Sequence, residues 1–240
     1  MLTSRLASLS CSTKLSSKVG DFTSELFSAT SKSQFLSNFD SLSSNSAIGS
    51  SVKQYGVLVP MIDVQGEPSL LYTKRSSNLS SHRGLASFPG GGMEDKDDDI
   101  IHTAKREAWE EVGIAANDFD FWSIMNPFPY PLLFDKEVLE VNGGKGLVTP
   151  VVGVVRREVK DLIINKDEVA EVFTIKLSDL CNPKLHGYTQ FRKGLGYSLP
   201  VYWGGAHVVW GLTAVITYQF LSALLGDMYI HNIEKQCEIR

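Results

Sequence analysis

The chain has 240 residues and a formal net charge of −4, and 43% of its residues are hydrophobic. This length and composition allow one domain of ordinary size with a sizeable core, plus a tail. The slight acidity and the lack of a long basic run argue against bulk nucleic-acid binding. The three widely spaced cysteines indicate neither a disulfide framework nor a cysteine metal site, and they favour a reduced, intracellular compartment.

Residues 1–50 are rich in serine and are expected to form an N-terminal extension. The first acidic residue is Asp21, and the residues before it include an arginine and two lysines. A basic, Ser-rich and acid-free start resembles a mitochondrial targeting segment. The alternative is an ordinary disordered or loosely helical N-terminus, which would leave a peroxisomal or cytoplasmic location open. We also expect a short helix over residues 21–39.

Composition changes after this extension, and we expect a domain over residues 51–228 followed by a tail over 229–240. Its first elements are predicted to be strands, because β-branched and apolar residues run between turn residues. The predicted strands are Tyr55–Val64, Ser69–Thr73 and the short Ala86–Phe88.

The stretch Gly90–Ile114 combines a glycine loop, a run of acids and a helix that concentrates carboxylates. Glu107, Glu110 and Glu111 stand at i, i+3 and i+4, so at about 100° per residue they share roughly a third of the helix circumference. Like charges this close require neutralisation, and hard carboxylate oxygens suit Mg²⁺ or Mn²⁺. The alternative is a surface helix stabilised by its dipole, but the dipole disfavours acids in the last turn.

The same helix carries an apolar stripe that predicts packing against a sheet. Gly113 follows the last periodic residue, as a helix stop does. Arg106 stands four residues before Glu110, a spacing suited to an ion pair. The residues of the stripe are Ile101, Ala104, Ala108 and Val112.

This spacing resembles the Nudix box, Gly-x5-Glu-x7-Arg-Glu-apolar-x-Glu-Glu-x-Gly-apolar. The residues that match in register are Gly92, Arg106, Glu107, Ala108, Glu110, Glu111, Gly113 and Ile114. Asp98 stands where the family has Glu, and on an ideal helix it would point about 180° away from Glu107, so any role requires a loop or first-turn position. The resemblance implies an α/β fold, the Nudix α/β/α sandwich with a mixed β-sheet. It further implies Mg²⁺ or Mn²⁺ bound by Glu107, Glu110, Glu111 and Asp98, with Arg106 holding the cluster in place.

The preceding loop resembles the segment typical of coenzyme A diphosphatases within the Nudix superfamily, roughly Leu-Leu-Thr-x-Arg-Ser/Ala-x3-Arg-x3-Gly-x3-Phe-Pro-Gly-Gly. The matching residues are Thr73, Arg75, Ser76, Gly84, Phe88, Pro89, Gly90 and Gly91. Ser80 replaces the second Arg, so Arg83 or His82 would have to take its place. The resemblance implies that Arg75, Arg83, Gly90 and Gly91 bind substrate. Guanidinium groups suit a ligand with several phosphates, and the alternative is a solvated basic loop.

After the box, the sequence predicts further strands, a short helix and a long apolar helix. Glu168 and Glu171 are candidate additional acids near the cleft, although a loop glutamate is commonly just solvated. The predicted strands are residues 119–127, 132–141, 147–155 and 169–175, with two more inside 186–203, and the helices are 177–181 and 208–225.

The last helix has no charged residue over residues 208–225 and meets the crude length test for a membrane span. It also resembles the Trp-Gly-Leu-Thr-Ala helix of coenzyme A diphosphatases, and a helix packed on a sheet can be apolar all round. We therefore expect a buried helix rather than a membrane span. Tyr202 and Trp203 could stack on a base, but burial in the core is the commoner outcome.

Together these resemblances imply hydrolysis of the diphosphate of coenzyme A or acyl-coenzyme A to 3′,5′-ADP and (acyl) 4′-phosphopantetheine. The catalytic site would comprise Glu107, Glu110, Glu111, Arg106 and Glu168. Two alternatives remain: a Nudix hydrolase of ADP-ribose, NADH or a capped nucleotide, and a non-catalytic nucleotide-binding module. The pattern specifies a small-molecule partner, but neither an acyl-chain preference nor an oligomeric state.

Overall fold

The computed structural model describes residues 27–42, 52–77, 83–130, 146–190, 198–226 and 229. By its internal contacts the chain forms two compact units. The first comprises Met1–Asn38, Asp63–Leu70 and Phe173–Arg240, and the second comprises Phe39–Ile62 and Leu71–Val172. The expected targeting segment, the predicted strand over 132–141, and Ser80 and His82 lie outside the described residues.

Within these ranges, strands outnumber helices. The helices are α1 Ala29–Leu42, α2 Ile100–Val112, α3 Leu177–Leu180 and α4 Gly211–Leu225. The strands are β1 Lys53–Val64, β2 Glu67–Arg75, β3 Ala86–Ser87, β4 Gly90–Gly92, β5 Phe119–Ile124, β6 Phe128–Tyr130, β7 Gly146–Val155, β8 Val169–Lys176, β9 His186–Gln190 and β10 Ser198–Tyr202.

The main sheet has the order β3-β2-β1-β7-β5, with β4 paired to β1, β6 to β7 and β8 to β2. β1 and β7 are parallel from Lys53↔Gly146 to Ile62↔Val155. β4 pairs with β1, and β5 and β6 pair with β7, in the antiparallel sense. The sheet is therefore mixed, and the expected α/β class is confirmed. β9 and β10 form a separate antiparallel pair.

The helix α2 packs against β4 and β7, and its predicted stripe faces the sheet. Ala104, Ala108 and Val112 are fully buried, whereas Ile101 is half-buried. On the strand side, a Cβ added at Gly56 would lie 2.8 Å from the Ile100 carbonyl oxygen. Small residues on both surfaces therefore let the helix approach the sheet closely, which fixes the height of its glutamates above the strands.

Several predicted boundaries were wrong, for physical reasons. The strand predicted over 119–127 ends at Ile124, and the proline-rich stretch after it contains β6. Pro129 is tolerated there because β6 pairs only with β7 among the described strands, and an edge strand can lack a backbone donor. The glycines predicted as a loop form β4, with Gly91 opposite Gly56. The helix expected over 21–39 is present as α1 Ala29–Leu42, and residues 21–26 lie outside the described residues.

The apolar helix α4 is packed within the first unit. Its Phe220 is fully buried, and its ring lies 5.8 Å from that of Phe35 on α1. The Asn38 side chain donates a hydrogen bond to the Ala223 carbonyl at 2.9 Å. In the described part of the chain, no helix combines the length and hydropathy that a membrane crossing requires. The expectation of a buried helix agrees with this packing.

Tyr202 belongs to the core, the commoner of its two predicted roles. Its side chain is fully buried, and its hydroxyl lies 2.7 Å from that of Tyr229. Trp203 is half-buried, and its indole N–H donates to the Lys184 carbonyl at 3.1 Å. Both side chains are therefore held by contacts inside the first unit.

Candidate active site

Two caps fix the ends of α2, and with them the direction of its glutamates. At the start, the Asp99 side chain accepts a hydrogen bond from the His102 backbone N–H at 2.7 Å, the usual N-cap arrangement. At the end, Gly113 has φ 72° and donates to the Trp109 carbonyl at 2.9 Å. A left-handed residue here favours glycine, so the predicted helix stop is confirmed.

Arg106 is the hub of the acidic region. Its guanidinium makes two hydrogen bonds to Asp97, Nε–Oδ1 and Nη2–Oδ2, both 2.9 Å long. Nη2 also donates to the Gly92 carbonyl at 2.9 Å, which joins α2 to the glycine strand β4. Nη1 donates to Glu107 and to Glu110, again at 2.9 Å. The predicted i, i+4 pair is therefore present, within a larger network.

Asp97 is a residue that the sequence reasoning missed. Its side chain is fully buried, and it also accepts hydrogen bonds from the Thr103 hydroxyl and the Glu94 backbone N–H, each at 3.0 Å. The hydrogen bonds from Arg106 hold the pKa of Asp97 far below its usual range, and the same contacts raise the pKa of Arg106. This charge pair thus ties the acidic loop to the helix that carries the glutamates.

Glu107 and Glu111 form the buried part of the predicted carboxylate cluster, with side chains 13% and 3% exposed. Burial raises the pKa of Glu107, and hydrogen bonding to Arg106 opposes that rise. Burial also raises the pKa of Glu111 to about 8, with Glu107 and Glu168 adding repulsion. The two carboxyls are one helical turn apart and share this unfavourable environment, as expected for a site arranged to receive positive charge.

The other predicted ligands, Glu110 and Asp98, lie apart from this pair. The Glu110 side chain is 42% exposed and is engaged by Arg106 and, at 3.8 Å, by Lys96. Asp98 precedes the helix, the position that a role in the site would require, but its side chain is 97% exposed and its neighbour is His102. The structure therefore does not bring Asp98 to the buried carboxylates, and its role as a ligand stays a prediction.

The glycines of β4 make room for the carboxylates. A Cβ added at Gly91 would lie 2.5 Å from the Glu107 carboxyl carbon, and one added at Gly90 would lie 2.4 Å from the Gly56 carbonyl oxygen. A hydrogen bond from the Gly90 backbone lowers the pKa of Glu111. A side chain at Gly91 would therefore occupy the space next to Glu107, and one at Gly90 would collide with β1.

Arg75 and Glu168 complete the surroundings of Glu111. Arg75, at the end of β2, has Nη1 3.8 Å from Glu111 Oε1 and is 27% exposed. The Glu168 backbone carbonyl accepts a hydrogen bond from the Ser76 N–H at 2.8 Å. Arg75 lowers and Glu168 raises the pKa of Glu111, so both candidates lie near that carboxyl, and their roles stay predictions.

The remaining candidates, Arg83 and Glu171, are exposed, and an unpredicted aromatic pair lies near Arg75. Arg83 is exposed in the turn before Gly84, whose N–H donates to the Arg75 carbonyl at 3.0 Å, and Glu171 is exposed on β8. The rings of Tyr55 and Tyr130 are 5.5 Å apart. Burial raises the pKa of Tyr130, and Arg75 lowers it. No sequence motif signalled this pair.

The residues present fit a hard divalent cation. Glu111 Oε2 is buried and lacks a hydrogen-bond partner in the described residues, although a buried carboxylate oxygen is normally satisfied. Glu107 supplies further hard oxygens beside it. Over the described ranges, no three His, Cys, Asp or Glu side chains form a ready-made metal cage. Arg106 and Arg75 provide the positive charge in this arrangement.

Comparison with known proteins places this site in context. Residues 52–194 match the family profile described as NUDIX domain. The human protein named mitochondrial coenzyme A diphosphatase NUDT8 is 42% identical over 177 residues, covering 72% of this chain and 70% of that protein. Nudix hydrolase 3 of Caenorhabditis elegans is 34% identical over 233 residues, covering 86% of this chain and 90% of its own. The uncharacterized Nudix hydrolase NudL of Photorhabdus laumondii is 38% identical over 164 residues, with coverages of 68% and 80%.

Proposed function

We propose, from the premise that this chain belongs to the Nudix family, that it hydrolyses the diphosphate of coenzyme A and acyl-coenzyme A. The products would be 3′,5′-ADP and 4′-phosphopantetheine or its acyl form. Nudix hydrolases generally use a divalent metal, and the hard oxygen donors here suit Mg²⁺ or Mn²⁺. The observation that carries the proposal is the buried pair Glu107–Glu111, bordered by Glu168 and Arg75.

The carboxylates would hold the metal from one side of the substrate. We assign this role to Glu107 and Glu111, with Glu110 available at the exposed rim. When bound, the metal would neutralise the diphosphate and lower the pKa of a water molecule. Arg106 acts on the acids rather than on the substrate, because its side chain is 9% exposed and engaged by Asp97. Its role is to hold the glutamates in register.

Glu168 is the proposed general base. It lies close enough to Glu107 and Glu111 to raise the pKa of each, whereas Arg106 donates its hydrogen bonds to Asp97, Glu107, Glu110 and the Gly92 carbonyl. A water proton would pass to the Glu168 carboxylate as the water oxygen bonds to phosphorus. The bridging P–O bond then breaks, and its electron pair goes to the departing phosphate. Such proton transfer typically contributes about 10²- to 10⁴-fold to rate.

The substrate would be recognised through its phosphates. Arg75 can shift from Glu111 Oε1, 3.8 Å away, to a phosphate, where a guanidinium makes two charge-assisted hydrogen bonds. The glycine strand β4 lies next to the Glu107 carboxyl and carries no side chains, and we assign contact with the diphosphate to the Gly90 and Gly91 backbone. The name of the human relative, mitochondrial coenzyme A diphosphatase, supports coenzyme A as the substrate.

The experiment is a comparison of kcat/KM for coenzyme A, dephospho-coenzyme A and ADP-ribose, in the wild type, Arg75→Ala and Arg83→Ala. Loss of one charge-assisted contact should weaken binding by roughly 1.5–3 kcal/mol, or about 10- to 150-fold. A loss for coenzyme A that shrinks for dephospho-coenzyme A assigns the 3′-phosphate to that arginine. Equal losses for coenzyme A and dephospho-coenzyme A would indicate that the arginine contacts the diphosphate. A higher kcat/KM for ADP-ribose than for coenzyme A would refute the proposed substrate.

We also propose a mitochondrial location. The basic, acid-free start of the chain and the name of the human relative, mitochondrial coenzyme A diphosphatase, support it. A fusion of residues 1–40 to a fluorescent reporter should enter mitochondria, because targeting segments of this composition are read at the N-terminus. A diffuse cytosolic signal, or colocalisation of the full-length chain with peroxisomes, would contradict this proposal.

A further inference from the structure

The loop between β7 and β8 is anchored to the end of α2 by backbone hydrogen bonds. The Ile163 N–H donates to the Val112 carbonyl at 3.2 Å, and the Asn165 N–H donates to the Glu111 carbonyl at 2.9 Å. These carbonyls lie in the last turn of α2, where the helix itself supplies no partner. The loop therefore takes its position from the same residue, Glu111, that supplies a buried carboxylate.

Asn165 occupies a central place in this loop. Its carbonyl oxygen accepts the N–H groups of Glu168 at 3.2 Å and Val169 at 2.8 Å. Its side-chain Oδ1 accepts the Asp167 N–H at 3.2 Å, which closes a tight turn of the kind that asparagine favours. Its side-chain Nδ2 donates to Glu168 Oε1 at 3.2 Å. Since a carboxylate accepts and a backbone N–H donates, these partners fix the amide orientation.

We infer that Asn165 is the positioning residue of Glu168. One side-chain atom of Asn165 shapes the turn, and the other holds the carboxylate. The Glu168 main chain is held from a second direction by the Ser76 N–H, next to Arg75. The glutamate thus stands at a fixed place between the α2 end and the β2 end, beside Glu107 and Glu111.

This inference rests on the proposed hydrolase function, in which Glu168 takes a proton from the attacking water. A base must lie within hydrogen-bond reach of that proton, so its orientation governs the rate. Small misplacement of a reacting group can cost about 100-fold in rate. Asn165 does not touch the substrate in this account, so its loss should lower kcat and leave KM nearly unchanged.

The test uses the full chain with coenzyme A and Mg²⁺. Asn165→Asp keeps an oxygen for the turn but removes the donor to Glu168, and Asn165→Ser removes that donor without adding charge. Each should lower kcat about 10- to 100-fold with KM changed less than about twofold. The matched controls are Asn182→Asp and Asn182→Ser, because Asn182 Oδ1 caps a similar turn by accepting the Lys184 N–H at 3.0 Å. Thermal melts should show comparable shifts at both positions, with kcat lost only at Asn165.

A double-mutant cycle separates positioning from a general structural effect. In a Glu168→Gln background, where no base remains to be oriented, Asn165→Ser should change kcat less than about twofold. The same fold loss in both backgrounds would overturn the inference, as would wild-type kcat in Asn165→Asp and Asn165→Ser, or in Glu168→Gln. A wild-type chain with no diphosphatase activity would instead refute the proposed function.

Discussion

Glu111→Gln should stabilise the metal-free protein while removing its activity. The Glu111 carboxyl has a pKa raised by burial to about 8, against an ordinary value of 4.5. Between those pH values the unfolded chain loses the proton and the folded chain keeps it, so stability falls as pH rises, by about 1.4 kcal/mol per pH unit. Over the 3.5 units that separate about 8 from 4.5, the total is about 5 kcal/mol at most. Glutamine is never ionised and should abolish this slope.

The assay is urea unfolding of the metal-free wild type and Glu111→Gln at pH 5, 6, 7 and 8, since the midpoint reports stability when the slope with denaturant is unchanged. The two proteins should be similar near pH 5, and the variant should become the more stable one towards pH 8. Glu110→Gln is the control, because that side chain is 42% exposed and should follow the wild-type profile. Parallel pH profiles for wild type and Glu111→Gln would refute the argument that Glu111 is held in an unfavourable buried environment.

Further predictions concern the neighbouring residues. Asp97→Asn should destabilise the fold by about 1.5–3 kcal/mol, because it removes at least one charge-assisted hydrogen bond to Arg106, whereas Asp98→Asn, at a 97% exposed side chain, should change the free energy of unfolding by less than about 0.5 kcal/mol. Folding lowers the pKa of Asp97 from its ordinary value of 3.8, so its carboxylate adds to the free energy of unfolding above that pH and loses this effect as the pH falls below it. Unfolding measured at a series of acidic pH values checks the sign. Gly91→Ala should lower kcat about 10- to 100-fold by displacing the Glu107 carboxyl, whose carbon would lie 2.5 Å from the new Cβ. Gly92→Ala should have a smaller effect, because its Cβ would come no closer than 3.9 Å to Tyr55, and steady-state kinetics at saturating Mg²⁺ distinguishes the two.

The helix and its carboxylates could be predicted because many fixed positions follow helical spacing. The difference in burial among the three glutamates could not be predicted, since Glu107, Glu110 and Glu111 share the same third of the helix circumference. Packing decides it: the sheet buries Glu107 and Glu111, while Glu110 stays 42% exposed beside Arg106. Residue spacing alone does not reveal which side of that sector the sheet covers.

The role of Asp97 escaped sequence reasoning for a related reason. It lies in a run of acids whose members are chemically alike, and only the path of the loop determines which one turns inward to Arg106. For Asp98, helical geometry established only that it could not join the carboxylates as part of the same helix, because at that spacing it would point away from Glu107. The strand β6 was missed because prolines disfavour strands, and its pairing with β7 outweighs that preference.

The hydrogen bonds of Asn165 were also beyond sequence reasoning. A local sequence pattern does not specify a contact between a loop and a helix end. The bond from the Asn165 N–H to the Glu111 carbonyl joins residues that are far apart in sequence. This contact depends on the distance between the loop and the end of α2, which the packing of the whole fold determines.

The central claim is tested most directly by incubating the purified chain with coenzyme A and Mg²⁺ and resolving the products by mass. The account predicts 3′,5′-ADP and 4′-phosphopantetheine in equal amounts from the wild type, and turnover reduced by orders of magnitude in folded Glu107→Gln and Glu111→Gln variants. Intact coenzyme A after incubation with the folded wild type, or near wild-type kcat in either variant at saturating Mg²⁺, would contradict it.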